Sequence, residues 1–228
     1  MTAYVLGATG FVGREVVRQL CVRGTPALAH VRPDSKQLDD WRGKLTALGA
    51  TVDTTAWDVP ALAARWKALA PAQIYILIGT TRGRAKADGV QGDIYERIDF
   101  GLTKLAVDAA VASGAAPRLV YLSSIGADPG ARGAYLVARG KAEACVRASG
   151  LPWAIARPAI ITGDRDDSRA GERTAAVVGD GLLAVAGLFS NSLKQRYAST
   201  TPDVLASALI RLGEQPEANV VADGAALR

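Results

Sequence analysis

Compact apolar runs recur along the chain at 3–6, 27–31, 51–54, 74–78, 119–122 and 153–156, without the strict polar alternation of a half-exposed strand. Such runs suit strands covered on both faces. Between them, the stretches 12–23, 35–48, 61–70, 100–113 and 134–149 carry apolar residues at helical spacing. Strand and helix in alternation predict right-handed βαβ units and therefore an α/β fold with a doubly wound parallel sheet. Gly24 and Pro26, Gly49, Gly114 and Pro117, and Gly150 and Pro152 mark the element boundaries. A late helix at 203–212 and a last strand at 218–222 complete the pattern, with no internal repeat or low-complexity linker.

At 228 residues the chain supports one sizeable core and no separate substrate domain, so residues 1–228 are expected to form a single domain. The stretch after the sixth strand then forms a small carboxyl-terminal extension on the substrate side. An apolar fraction of 49% and a charged fraction of 21% exclude wholesale disorder. The net charge of +5 suits an anionic small molecule as well as a nucleic acid. No interleaved aromatic platform or zinc spacing accompanies it, so no nucleic-acid partner is expected. Cys21 and Cys145 are too few for a disulfide framework and predict reduced thiols. With no basic leader before an apolar run and no apolar stretch of membrane-spanning length, a cytoplasmic protein without a membrane partner is the expectation.

The first strand runs directly into Gly7-Ala8-Thr9-Gly10-Phe11-Val12-Gly13, which opens a helix. Glycines at such a junction let the backbone approach a diphosphate whose charge faces the helix amides, and Gly13 allows close packing of helix on strand. The spacing is GxxGxxG, one residue longer at its start than the usual dinucleotide fingerprint, so strand-to-helix context carries the assignment.

The second strand ends at His30-Val31-Arg32-Pro33, followed by Asp34 and Lys36. An NAD-selective site places a carboxylate here. Arg32 can instead stack on adenine and pair with a 2′-phosphate, with Lys36 as a second charge, which predicts NADP(H) as the preferred cofactor. Asp34 is expected to cap the helix beginning at Ser35; were it to face the ribose, NAD(H) would be used. His30, the single histidine, has no partner for a metal or a catalytic triad and reads as structural or cofactor-adjacent, so no metal is expected. Thr80 to Asp93, with Arg82, Arg84 and Lys86 among glycines, reads as a basic loop at the carboxyl end of the fourth strand, either a lid or a solvated surface loop.

The fifth strand ends in Ser123-Ser124, and Tyr135 follows at the head of a helix. A reductase needs a proton donor beside the carbonyl that receives hydride, a role a tyrosine fills when a nearby cation assists it. A serine hydroxyl would hold the carbonyl oxygen. Arg139 stands one turn beyond Tyr135 on nearly the same face and can supply positive charge, but its guanidinium does not deprotonate and so cannot relay a proton. Lys141 falls on another side of the helix.

The glycine loop, Ile78-Gly79-Thr80-Thr81-Arg82-Gly83, Tyr121-Leu122-Ser123-Ser124-Ile125-Gly126-Ala127-Asp128, Tyr135 with residues 140–143, and Arg157-Pro158 together resemble the atypical short-chain dehydrogenase/reductases. The likeness is greatest to the branch containing the Tat-interacting protein oxidoreductases, and it runs to about residue 175. The resemblance implies a nucleotide-binding Rossmann fold with seven parallel strands, and a Ser, Tyr and Lys centre. It places Gly7, Thr9, Gly10, Phe11, Val12 and Gly13 at the diphosphate, Arg32 at the 2′-phosphate, and Asp58 and Val59 near adenine. It further places Gly79, Thr80 and Thr81 at the nicotinamide ribose, Arg157, Pro158 and Ile160 beside the nicotinamide, and Ser124 and Tyr135 at the reaction centre. Arg139 stands where that family has lysine.

These features predict an NADPH-dependent oxidoreductase of a small carbonyl or quinone-like acceptor, with Tyr135 as acid, Ser124 as orienter and Arg139 as electrostatic support. The alternative is an NADP(H)-binding redox sensor that contacts a partner protein without turnover. A sugar-nucleotide enzyme is disfavoured, because only about 70 residues follow the sixth strand to cover a large substrate. Homodimer and monomer are equally compatible with the sequence, and 164–197, where a substrate pocket would be lined, carries no readable motif.

Overall fold

Seven strands form one sheet in the order β3-β2-β1-β4-β5-β6-β7, and every neighbouring pair is parallel. The computed structural model describes residues 1–80, 92–162 and 199–228. Within them the chain runs β1 (Ala3–Leu6), α1 (Phe11–Val22), β2 (Ala27–His30), α2 (Leu38–Ala47), β3 (Thr51–Asp53), α3 (Val59–Leu69) and β4 (Gln73–Ile76). A π-helical segment (Tyr95–Leu102) then leads into α4 (Thr103–Ser113), followed by β5 (Arg118–Leu122), α5 (Ala134–Ala148), β6 (Trp153–Arg157), α6 (Pro202–Glu214), β7 (Val220–Asp223) and a closing 3₁₀ turn.

The continuous apolar runs follow from burial on both sheet faces. Ala3 and Val5 of β1 face Val16, Val17 and Leu20 of α1 and Leu205 and Leu209 of α6. Tyr4 and Leu6 face the opposite layer, with Leu62 and Trp66 of α3 and Ala106 and Ala110 of α4. β1 thus contributes alternate side chains to two cores, and all four of its positions are buried.

Arg118, at the start of β5, secures the return of α6. Its guanidinium donates to the carbonyls of Leu212 (3.1 Å), Gln215 (2.5 Å), Pro216 (3.2 Å) and Glu217 (3.1 Å). These oxygens at and beyond the helix end have few chain partners of their own, and a cation there also meets the negative end of the helix dipole.

Two boundaries differ from the expectation. The second helix starts at Leu38, not Ser35, and its N-cap residue Gln37 makes no side-chain cap bond. Asp34 therefore does not cap it; the carboxylate lies 3.9 Å from Arg32, and both are exposed. The fourth helix is preceded by π-helical turns that a 3.6-residue period cannot register, so the predicted 100–113 covers that helix but only the end of the turns before it. The residues 81–91 and 163–198 contain Thr81, the basic loop residues Arg82, Arg84 and Lys86, and the pocket stretch after 164, which all lie outside the described residues.

Candidate active site

All seven strands point the same way, so the loops after β1, β2, β3, β4, β5 and β6 share one edge. The strand order reverses between β1 and β4, where β1 leads outward to β2 and β3, and β4 leads outward to β5, β6 and β7. The crevice at such a reversal is the usual ligand position in an open α/β sheet.

The glycine loop crosses this crevice. Gly7 has φ +81, and a Cβ there would lie 2.6 Å from the Leu77 carbonyl oxygen at the end of β4. Gly10 donates to the Gly7 carbonyl at 2.9 Å, closing the turn. A Cβ on Gly13 would overlap the Gly7 carbonyl, so α1 seats directly against the loop. Gly10 is the N-cap of α1; no side chain caps this end, and its first turn holds no carboxylate. Amides and the positive end of the dipole are thus presented across a surface lined with glycine, an arrangement matched to a diphosphate.

Arg32 and Lys36 follow β2 on the exposed side of this edge. His30 is buried, its Nε2 2.8 Å from the Thr55 carbonyl and its ring edge-on to Trp57. Burial pushes its pKa down, and it packs in a network with Tyr4 and Asp53, which fits the structural one of the two roles left open for it. Asp53 accepts from Tyr4 (2.9 Å), from the amide and hydroxyl of Thr55 (2.9 and 2.6 Å) and from Arg65 (2.5 Å). Asp58 is exposed, and its Oδ1 accepts the Ala61 amide at 2.7 Å as the N-cap of α3; Val59 opens that helix beside it.

Across the crevice, the two serines after β5 divide their work. The Ser123 hydroxyl donates to Glu143 at 2.6 Å. Ser124 makes only a long donation of 3.3 Å to the Ile125 carbonyl, a bond easily exchanged for one to a ligand. Of the two hydroxyls, that of Ser124 is thus the more readily turned to a ligand. Tyr135 is half-buried at the head of α5, edge-on to Tyr95 with ring centroids 5.4 Å apart, and the Arg139 guanidinium carbon stands 5.3 Å from the ring centre.

Arg139 is almost wholly buried. It donates to the Tyr121 hydroxyl (3.2 Å) and the Leu122 carbonyl (2.8 Å), and its Nη2 lies 2.8 Å from Asp99 Oδ1. Burial raises the Tyr121 hydroxyl to about 12, and Arg139 opposes that rise only in part. Both terminal nitrogens of Arg139 are thus directed at protein groups, where the family resemblance implies a lysine directed at a ribose. Lys141 faces elsewhere, paired with Glu96 at 2.9 Å.

Arg157 is also placed differently from the expectation. Its Nε and Nη2 form a two-point pair with Glu143 (2.7 and 2.6 Å), and Nη2 reaches the Ala127 carbonyl at 3.4 Å. The guanidinium therefore ties β6 to α5. Pro158 is buried and its carbonyl accepts the Ile125 amide, whereas Ile160 exposes its apolar side chain at the sheet edge. Asp99 and Glu143 are the buried acids that motif reading passed over as site residues.

Fold and site together define a Rossmann-type dinucleotide-binding protein. Residues 7–182 match the family described as NAD(P)H-binding, and the chain belongs to that family. It is 30% identical over 217 residues to Protein fmp52, mitochondrial, of Emericella nidulans, a match covering 92% of this chain and 85% of that protein. The Aspergillus fumigatus protein of the same name is 32% identical over the same coverage. Among solved structures, a triphenylmethane reductase from a Citrobacter species complexed with NADP(H) superposes with TM-score 0.62 at 15% identity, covering 99% of this chain and 70% of that one. A UDP-glucose 4-epimerase from Thermotoga maritima gives TM-score 0.65 at 16% identity, covering 97% and 75%. The expected cytoplasmic location is corrected by the fungal relatives, which are named as mitochondrial. Two reduced thiols and an unremarkable opening segment distinguish no reducing compartment from another.

Proposed function

We propose that the protein is an NADPH-dependent reductase of a small carbonyl or quinone-like acceptor. The observation that carries this reading is the uncapped, glycine-lined start of α1 at the reversal of strand order, with Ser124 and Tyr135 following the strands on the other side of it. Gly7, Thr9, Gly10, Phe11, Val12 and Gly13 would hold the diphosphate, Arg32 and Lys36 a 2′-phosphate, and Asp58 and Val59 the adenine end. Gly79, Thr80, Pro158 and Ile160 would border the nicotinamide end. When bound, NADPH supplies the hydride that adds to the acceptor carbon. Ser124 holds the acceptor oxygen, Tyr135 gives that oxygen its hydroxyl proton, and the tyrosine regains a proton from water; an alcohol leaves. Arg139 contributes a fixed positive charge behind the Tyr135 ring and moves no proton. No nucleic acid or membrane takes part.

The reading is tested by NADPH oxidation across a panel of aldehydes, ketones and quinones, with Tyr135→Phe as control. Turnover reduced about 100-fold or more in the variant supports it. A variant as fast as the wild-type protein contradicts the role of Tyr135. Tight NADPH binding with no turnover on any acceptor would favour a redox-sensing binding protein.

A further inference from the structure

Asp99 is a buried acid that no motif singled out. Its side chain has 0% exposure. The π-helical turns of 95–102 carry it inward, and the Thr103 hydroxyl pins its carbonyl at 2.7 Å. One carboxylate oxygen lies 2.8 Å from Arg139 Nη2, and the other accepts the Thr80 amide at 3.3 Å. A π-helical insertion that delivers a single charged group to a ligand edge is more often found at working sites than in plain scaffolding.

Gly79 adds a second, independent observation. Its φ is not in the positive region, yet a Cβ there would collide with Arg139 Nη2. The chain thus keeps glycine at the end of β4 because a guanidinium fills the adjoining space. A buried arginine is costly without a partner, and Asp99 is the acid that compensates this one. A flexible lysine stem at this position could swing toward a cofactor; a planar fork held by Asp99, Tyr121 and Leu122 cannot.

We propose that Asp99 is a positioning residue of the reaction centre: it holds the Arg139 guanidinium against the face of Tyr135 and ties it to the Gly79–Thr80 backbone. The inference rests on the reading of Tyr135 as the acid. Arg139 then acts on turnover through its fixed charge and contributes little to cofactor affinity. Protonation of Asp99 would release the clamp. Its carboxyl is pushed up to about 6 by burial and by nearby Asp93, with Arg139 of α5 and the Thr80 amide opposing the rise.

The test compares wild type, Asp99→Asn, Arg139→Gln and the double variant for chemical denaturation without cofactor, NADPH affinity by fluorescence, and kcat and KM against pH. Each single change is expected to lower kcat about tenfold or more while leaving the NADPH Kd within about threefold. The double variant should be no slower than the slower single variant and more resistant to denaturant than either, since it leaves no unpaired buried charge. Wild-type kcat should fall below pH about 6, and Asp99→Asn should lack that limb. If a single variant does not fold, the charge-neutral double variant still decides, and wild-type kcat in it overturns the proposal. Additive losses, or an Arg139→Gln protein that binds NADPH about tenfold more weakly, also overturn it. A wild-type protein that neither binds NADPH nor reduces any acceptor overturns the proposed function itself.

Discussion

Glu143 of α5 and Arg157 of β6 form a two-point ion pair, and the same carboxylate accepts the Ser123 hydroxyl from the end of β5. One buried side chain thus binds three elements of the sheet edge. Glu143→Ala is expected to lower unfolding stability by about 2–3 kcal/mol, because charge-assisted bonds are lost and the Ser123 hydroxyl is stranded. Arg157→Ala should destabilise less, because Arg147, 3.3 Å from Glu143, keeps that buried carboxylate paired. In neither variant should NADPH affinity change by more than about threefold. Urea denaturation with a parallel binding titration checks this; a large loss of affinity in Arg157→Ala would restore that residue to the cofactor.

Arg118 makes a second kind of tie. Because four carbonyls around the end of α6 share its guanidinium, Arg118→Ala is expected to cost about 2 kcal/mol, and Arg118→Lys to recover only part of it, since an ammonium lacks the planar fork. Thermal denaturation of the two variants measures the difference. Equal melting temperatures for Arg118→Ala and wild type would show the contacts to be without weight.

His30 sets a pH dependence. Burial lowers its pKa from the ordinary value of 6.5, with the Thr55 carbonyl and Asp53 opposing in part. The folded chain therefore binds fewer protons at this group than the unfolded chain does. Its contribution to stability is complete above pH 6.5 and is lost as pH falls through the folded value. Denaturant midpoints between pH 5 and 8 should drop more steeply on acidification for wild type than for His30→Gln; parallel curves would contradict the assignment.

The fold was legible because burial on both sheet faces leaves an apolar signature that needs no knowledge of partners, and Ala3 to Leu6 is its clearest case. The glycine loop was legible for a related reason, since Gly7 and Gly13 are required by contacts within one strand–helix unit. Asp99 and Glu143 were not read as site residues because their meaning lies in Arg139 and Arg157, which the sheet brings to them from distant parts of the chain. The pairing of Arg157 was hidden for the same reason: a sequence shows the charge but not the buried acid that meets it. The start of α2 failed differently, because Ser35 and Asp34 resemble a helix start while the backbone delays the helix to Leu38.

In the proposed reading, cofactor preference turns on Arg32. Its exposed side chain beyond β2 carries the proposed contact to a 2′-phosphate, with Asp34 as its near neighbour. Arg32→Ala is expected to reduce the ratio of NADPH to NADH affinity by about 10-fold or more, while Asp34→Ala leaves or raises it. Titrating both coenzymes against each variant tests this, and an unchanged ratio in Arg32→Ala would refute the preference.

The start of α1 is proposed to grip a diphosphate, and Gly10→Asp is the sharpest probe of that contact. Gly10 has the extended N-cap backbone that aspartate favours, and a Cβ there would sit 3.1 Å from the Gly7 oxygen, which must yield by a few tenths of an ångström. The new carboxylate would cap the helix and repel the diphosphate at once. Calorimetric titration with NADPH and NADH should show binding by wild type and affinity at least about 100-fold weaker in the variant, whose melting temperature stays close to that of wild type. Unchanged affinity in a folded Gly10→Asp protein would contradict the claim.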